Sequence, residues 1–196
     1  GNDVLVAGTL DSVIADIDAA AVNLADTGDT LVGDEGDDIL YGDSRANQMR
    51  GGSGRDRIFA GAGNDVITTD AATLDVSATP NQLQAESDEV DAGPGDDNVS
   101  SGGGNERIFA GPGNDRIILT GVGSSVVFAG DGDDFIIANT RELSGDDYFD
   151  GGSGNDNIAS SADRTVIIGG AGNDFLNAQG TGSVILGGDG DDFLRV

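Results

Sequence analysis

The chain of 196 residues has no cysteine, no histidine and no tryptophan, and all nine of its basic residues are arginine, so lysine is missing too. Each absence removes a class of chemistry. Without Cys or His, no nucleophile can pair with an imidazole base. Without Lys, the glycine-rich turns cannot form a phosphate-cradling P-loop. Without Cys, disulfides cannot report the redox compartment, and their absence is compatible with secretion. No run of about 18 apolar residues occurs, so no helical membrane span is expected. No basic and apolar leader opens the sequence. Positive charge is scarce: 9 basic residues against 36 acidic ones give a formal net charge of -27. That balance argues against nucleic acid and anionic membranes as partners, and a compact monomer carrying it should repel itself unless bound cations cancel much of the charge.

What the sequence has is glycine, 34 residues of it, in a repeated phrase. Gly151 to Ile158 reads Gly-Gly-Ser-Gly-Asn-Asp-Asn-Ile, Gly169 to Leu176 reads Gly-Gly-Ala-Gly-Asn-Asp-Phe-Leu, and Gly187 to Leu194 reads Gly-Gly-Asp-Gly-Asp-Asp-Phe-Leu. A fixed internal period outranks local signals because it sets the architecture. Numbering nine-residue units with Asp sixth puts apolar residues at every eighth position: Leu5, Ile14, Val22, Leu31, Leu40, Met49, Ile58, Ile67, Val76, Val90, Val99, Ile108, Ile117, Val127, Ile136, Phe149, Ile158, Ile167, Leu176, Ile185 and Leu194. Only 37% of the chain is apolar, so the regularity carries weight. Keeping register requires small shifts near Asp16, at Ala78 to Gln82, at Leu119 and at Ala138 to Arg141. The longest interruption, Thr69 to Gln82, is mostly polar, contains Pro80 and reads as an inserted loop around a degenerate unit.

The spacing predicts an all-β solenoid. Six Gly- and Asp-rich residues form a turn, and three residues form a short strand whose middle side chain points inward. Two units make one 18-residue coil, and about eleven stacked coils give a parallel β-roll over residues 1–196, read as a single unit. Because the sequence opens inside a repeat, at Gly1-Asn2-Asp3-Val4-Leu5, it reads as a piece of a larger protein.

These units resemble the RTX nonapeptide, Gly-Gly-x-Gly-x-Asp-x-U-x, of secreted bacterial proteins with a calcium-binding parallel β-roll. The resemblance implies several Ca²⁺ ions between successive turns on the same side, held by sixth-position carboxylates and nearby backbone oxygens, which suits a hard cation that takes six to eight oxygens. Alternating the units back from the C-terminus gives side one the sixth residues Asp192, Asp174, Asp156, Asp134, Asp115 and Asp97. The implied metal-binding turns on that side include Gly187, Gly188, Asp189 and Gly190; Gly169, Gly170, Ala171 and Gly172; and Gly151, Gly152, Ser153 and Gly154. Further back they include Gly130 and Gly132, Gly111 and Gly113, and Gly93 and Gly95. Side two carries Ser183, Thr165, Asp147, Ser125, Glu106 and Asp88, and few full sites are expected there near the C-terminus.

Upstream, the assignment depends on Thr69 to Ser77 being one half-coil. If it is, Asp56, Asp38 and Asp3 join side one, with Asp38 and Asp56 a metal-binding pair whose turn includes Gly51 and Ser53. Asp65, Asn47 and Asp29 then fall on side two. A weaker site involving Asp65 and Asp88, or Asp88 and Glu106, is the remaining expectation.

The implied function is a calcium-dependent structural or folding segment of a type I-secreted protein, located outside the cell or on a bacterial surface. Its partners would be calcium and adjacent domains, with catalysis expected in missing parts of the parent. The alternative is an adhesin or surface-layer recognition module acting through a sheet face or inserted loops, although Ser125, Thr165 and Ser183, interrupted by Asp147, make no regular ladder. Without calcium the composition favours a disordered chain. EF-hands need a 12-residue loop with a terminal Glu and flanking helices, which Asp131-Gly132-Asp133-Asp134 lacks. Paired carboxylates as acid/base catalysts are disfavoured by the many identical loops. Arg55, Arg57, Arg107 and Arg116 are expected in surface ion pairs. Outward Phe135, Phe175 and Phe193 read either as a docking stripe, for a neighbouring domain or a second copy, or as ordinary cross-strand packing.

Overall fold

In the computed structural model, which describes residues 2–6, 28–70, 87–121, 123–140 and 146–196, the eighth-position aliphatics alternate between two sheets. The first sheet holds β1 (Val4–Val6), β3 (Ile39–Tyr41), β5 (Arg57–Phe59), β7 (Glu89–Asp91), β9 (Arg107–Pro112), β11 (Val126–Asp131), β13 (Tyr148–Ser153), β15 (Val166–Ala171) and β17 (Val184–Asp189). The second holds β2 (Thr30–Glu35), β4 (Gln48–Ser53), β6 (Val66–Asp70), β8 (Asn98–Ser101), β10 (Arg116–Gly121), β12 (Phe135–Thr140), β14 (Asn157–Ser160), β16 (Phe175–Ala178) and β18 (Phe193–Arg195). Each sheet has nine strands in strict chain order, and neighbouring strands pair in parallel. This is a parallel β-solenoid.

Register follows the repeat. Ile158 lies beside Ile136 on one side and Leu176 on the other, and Val127, Phe149, Ile167 and Ile185 align in the opposite sheet. These inward residues form one continuous core, with Ile58, Ile108, Ile136, Phe149 and Leu176 fully enclosed. Parallel strands buried against a second sheet need such aliphatics at every repeat. In the last strands the covering thins, and Leu194 is 48% exposed.

Two expectations need correction. The spacing predicts about eleven coils, but nine strands stack per sheet, because β1 pairs directly with β3, β5 with β7, and β6 with β8. The units at Ile14, Val22 and Val76 lie outside the described residues, as do the register shifts near Asp16 and at Ala78 to Gln82. The interruption also starts later than Thr69, since Thr69 and Asp70 belong to β6. The side assignment that depended on Thr69 to Ser77 being a half-coil is therefore reversed, since β5 pairs directly with β7 and β6 with β8. Parity decides the consequence: one fewer half-coil exchanges the sides of everything upstream.

The outer faces carry the remaining bulky side chains. Phe175 and Phe193 stack at 4.9 Å and 4°, which is cross-strand packing. Phe135 sits under the Arg116 guanidinium rather than extending that stack, because Asn157 separates it from Phe175. Arg57 reaches Glu89 at 3.1 Å, and Arg57 and Arg107 lie over Phe59 and Phe109, so rings as well as carboxylates take up the arginines. Exposed pairs of this kind contribute little, ~0–1 kcal/mol.

Candidate metal centre

Most of the turns owe their shape to glycine. In the turn entering β16, Gly170 and Gly172 have φ of +115° and +142°, and a Cβ on either would strike the carbonyl of Gly152 or Gly154 in the coil below. No other residue fits where backbone packs on backbone at a positive φ. The chain then turns inward, and the sixth residue is buried.

Stacking these turns produces a column of carboxylates. On side one, the Asp65 N–H donates to Asp97 Oδ1 at 2.6 Å, Asp97 to Asp115 at 2.8 Å, and Asp115 to Asp134 at 2.7 Å. Asp134 donates to Asp156, Asp156 to Asp174, and Asp174 to Asp192. Asp97, Asp115, Asp134, Asp156 and Asp174 are each no more than 2% exposed. One oxygen of each carboxylate thus closes the backbone of the adjacent coil. The other oxygen, Oδ2, is buried with no hydrogen-bond partner.

That arrangement is costly unless something compensates it. A buried carboxylate oxygen without a partner loses its hydration and gains no hydrogen bond in return. The electrostatics register the cost. Burial, reinforced by neighbouring carboxylates, raises Asp97 and Asp134 to about 7, against a lowering by the backbone hydrogen bond each accepts. Burial likewise lifts Asp115 and Asp156 to about 6, and raises Asp174 and Asp65.

Backbone oxygens complete the surroundings. A Cβ built on Gly151 would lie 2.7 Å from the Gly169 carbonyl oxygen and closer still to Asp156 Oδ2; Gly169 stands in the same relation to Asp174 and, at 2.5 Å, to the Gly187 carbonyl. The absent side chain leaves a cradle bounded by a carboxylate of its own turn and a carbonyl of the next. In the turns of Asp65, Asp97, Asp115 and Asp134 the first position is Ala60, Ala92, Ala110 and Ala129, whose methyls join the core. Among the described residues no three carboxylates converge, because each coil contributes one to a single file. Any cation must therefore take carbonyl oxygens as well, and all-oxygen donors fit Ca²⁺.

Side two differs along its length, and its upstream half corrects the sequence reading. Asp3, Asp38, Asp56, Asp88 and Glu106 form a continuous acidic column there: the Asp38 N–H donates to Asp56 Oδ1, Asp56 to Asp88, and Asp88 to Glu106 Oε2. Asp38 and Asp56 are neighbours, as expected, but with Gly51 and Ser53 they belong to side two. Asp65, Asn47 and Asp29 belong to side one, and Asp65 pairs with Asp97, not Asp88. Glu106 is a full member of its column, 3% exposed.

Toward the C-terminus side two closes with hydroxyls. Thr165 Oγ1 lies 3.0 Å from Ser160 Oγ and donates to the Ala162 carbonyl, and the Thr165 N–H donates to Ser183 Oγ. Neutral turns satisfy themselves there. Asp147 is the exception, raised by burial to about 6 while accepting the Ser125 N–H.

A second ladder runs outside the carboxylates. Asn64 Oδ1 accepts the Asp96 N–H, Asp96 that of Asn114, Asn114 that of Asp133, and the series continues through Asn155 and Asn173 to Asp191. Here the acceptor sits in the earlier coil, whereas in the inner column it sits in the later one, so the two ladders stitch each joint from opposite directions. The sequence signal was present in the Asn or Asp before each sixth-position Asp.

The family model for the RTX calcium-binding nonapeptide repeat matches residues 25–44, 41–72, 85–117, 117–140, 143–167 and 168–195, most of the chain. The chain belongs to that family. A search of curated proteins and a search of solved structures return no match. RTX repeats imply calcium binding, and this RTX roll supplies the buried oxygen columns that such a cation requires.

Proposed function

We propose that this RTX roll is a structural module whose folding is driven by calcium held between successive turns. The carrying observation is the column of buried carboxylates, each with one oxygen spent on the adjacent backbone and the other unpartnered. On side one Asp97, Asp115, Asp134, Asp156, Asp174 and Asp192 would hold the ions with turn carbonyls. On side two Asp38, Asp56, Asp88 and Glu106 form a second bank, and the hydroxyl-closed turns around Thr165 bind none. A bound cation supplies the charge compensation that lets carboxylates stack one above another.

Metal binding then becomes folding free energy. A chain carrying -27 and lacking the ion stays open in a low-calcium compartment and folds on reaching a calcium-rich one. That behaviour suits export in an unfolded form and a working location outside the cell or on its surface. The module serves structure rather than catalysis, its buried acids being stacked in the columns.

Isothermal titration calorimetry with Ca²⁺ tests the reading. Several ions are expected, with binding heat coupled to folding; Mg²⁺, which demands tight octahedral geometry, should replace them poorly. Absence of calcium binding would overturn it.

A further inference from the structure

Near its N-terminal end, side one has a turn that departs from its own repeat. In Gly42-Asp43-Ser44-Arg45-Ala46-Asn47, Arg45 stands at the fourth position, where the next side-one turns carry Gly63, Gly95 and Gly113. Asn47 stands at the sixth, where they carry Asp65, Asp97 and Asp115. The turn has lost its sixth-position anion and gained a cation, with Asp43 a new acid at the second position.

The guanidinium sits among the acids of that joint. Arg45 Nη2 is 3.2 Å from Oδ2 of the buried Asp29 in the preceding coil, and Arg45 Nε donates to Asp43 Oδ2 at 2.8 Å. This contact holds the Asp43 carboxyl below its usual range. Asn47 keeps the ladder unbroken: its Oδ1 accepts the Asp29 N–H at 3.0 Å, its own N–H donates to Asp65, and its Nδ2 donates to the Arg45 carbonyl. The joint keeps the inner backbone stitching of the others, with a side-chain cation beside the carboxylate.

We infer that Arg45 is a built-in cation that closes the joint between the coils of Asp29 and Asn47 without a metal ion. The inference rests on the calcium reading above. A guanidinium stays charged at every physiological pH and cannot dissociate from the chain, so this joint holds at calcium levels that leave the others open. A different pairing occurs on side two, where the sixth residue is Thr165: Arg164, at the fifth position, pairs with Asp146 of the coil below on the exposed surface. The roll therefore has two kinds of joint, and the arginine-closed one gives the stack a calcium-independent starting point near its N-terminal end.

Counting bound Ca²⁺ by native mass spectrometry on the full chain tests this. The double variant Arg45→Gly with Asn47→Asp, which restores the repeat at both positions, is expected to bind at least one ion more than the wild type. Arg45→Lys, which keeps the charge, is expected to keep the wild-type count. A folded double variant with the wild-type count would overturn the inference while leaving the calcium reading intact. A wild type that binds no calcium would defeat both. Should the double variant not fold, hydrogen exchange of Arg45→Met in saturating calcium decides: protection of residues 28–53 should fall by about tenfold or more while residues 148–195 keep theirs, and unchanged protection at 28–53 would overturn the inference.

Discussion

Asp115→Asn is expected to weaken two calcium sites at once and to cost ~3–5 kcal/mol, the scale for removing one member of a buried charged arrangement. Asp115 lies mid-column: its Oδ1 accepts the Asp97 N–H, its own N–H donates to Asp134, and its second oxygen is orphaned. Asparagine keeps the volume and one carbonyl oxygen, so the backbone bond survives and the loss falls on the charge. Asp192→Asn makes the same chemical change at the last side-one turn, where the aspartate closes only the coil of Asp174. Asp192 is only partly buried, so its loss should be the smaller one. Glu106→Gln should resemble an interior position, since Glu106 is buried and accepts the Asp88 N–H. Calcium titration with calcium-dependent melting of the three variants checks the order. Bulk electrostatics predicts three similar losses, and that result would refute ions shared between neighbouring turns.

Acid is expected to act in opposite directions with and without calcium. In the metal-free fold, burial raises Asp97 and Asp134 to about 7 and Asp115, Asp147 and Asp156 to about 6. These values lie above the ~3.9 of an unfolded chain. A raised folded value contributes stability that is fully present below the unfolded pKa and is lost as pH rises through the folded one. Lowering pH from about 7 toward 5 without calcium should therefore stabilise the roll, because protonated acids can be buried at less cost. Coordinated carboxylates behave conversely: calcium depresses their pKa, so their contribution is present above the unfolded value and is lost as acid displaces the ion. Sheet content in EDTA should accordingly rise from pH 7 toward 5, whereas the melting temperature in millimolar calcium should hold over that range and fall only as pH drops below about 4. Matching pH profiles would contradict carboxylate ligation.

Much of this was legible in the sequence because the repeat couples each side chain to one place in the coil. The eighth-position residues from Val90 to Leu176 are all buried, and the side-one column from Asp97 to Asp192 is as the spacing predicts. The sides upstream were not legible. They depend on whether the residues between β6 and β7 count as a half-coil, a question of parity that strand pairing answers and local composition cannot. Glu106 falls on the side where only a weaker site with Asp88 is expected, yet its long side chain reaches the Asp88 N–H and is buried like the aspartates. The outer ladder of Asn64, Asp96 and Asn114 was visible as recurring polar residues, but its role depends on stacking distance. Arg45 was invisible for a related reason, since its partner Asp29 is adjacent only once the coils are stacked.

The most direct test of the account is far-ultraviolet circular dichroism of the chain near neutral pH, first in EDTA and then through a calcium titration. The account predicts a spectrum lacking full sheet structure in EDTA, then a cooperative gain of β signal as calcium fills the columns. A complete β-sheet spectrum in EDTA, unchanged by calcium, would show that the roll holds its buried carboxylates without the ion and would contradict the account.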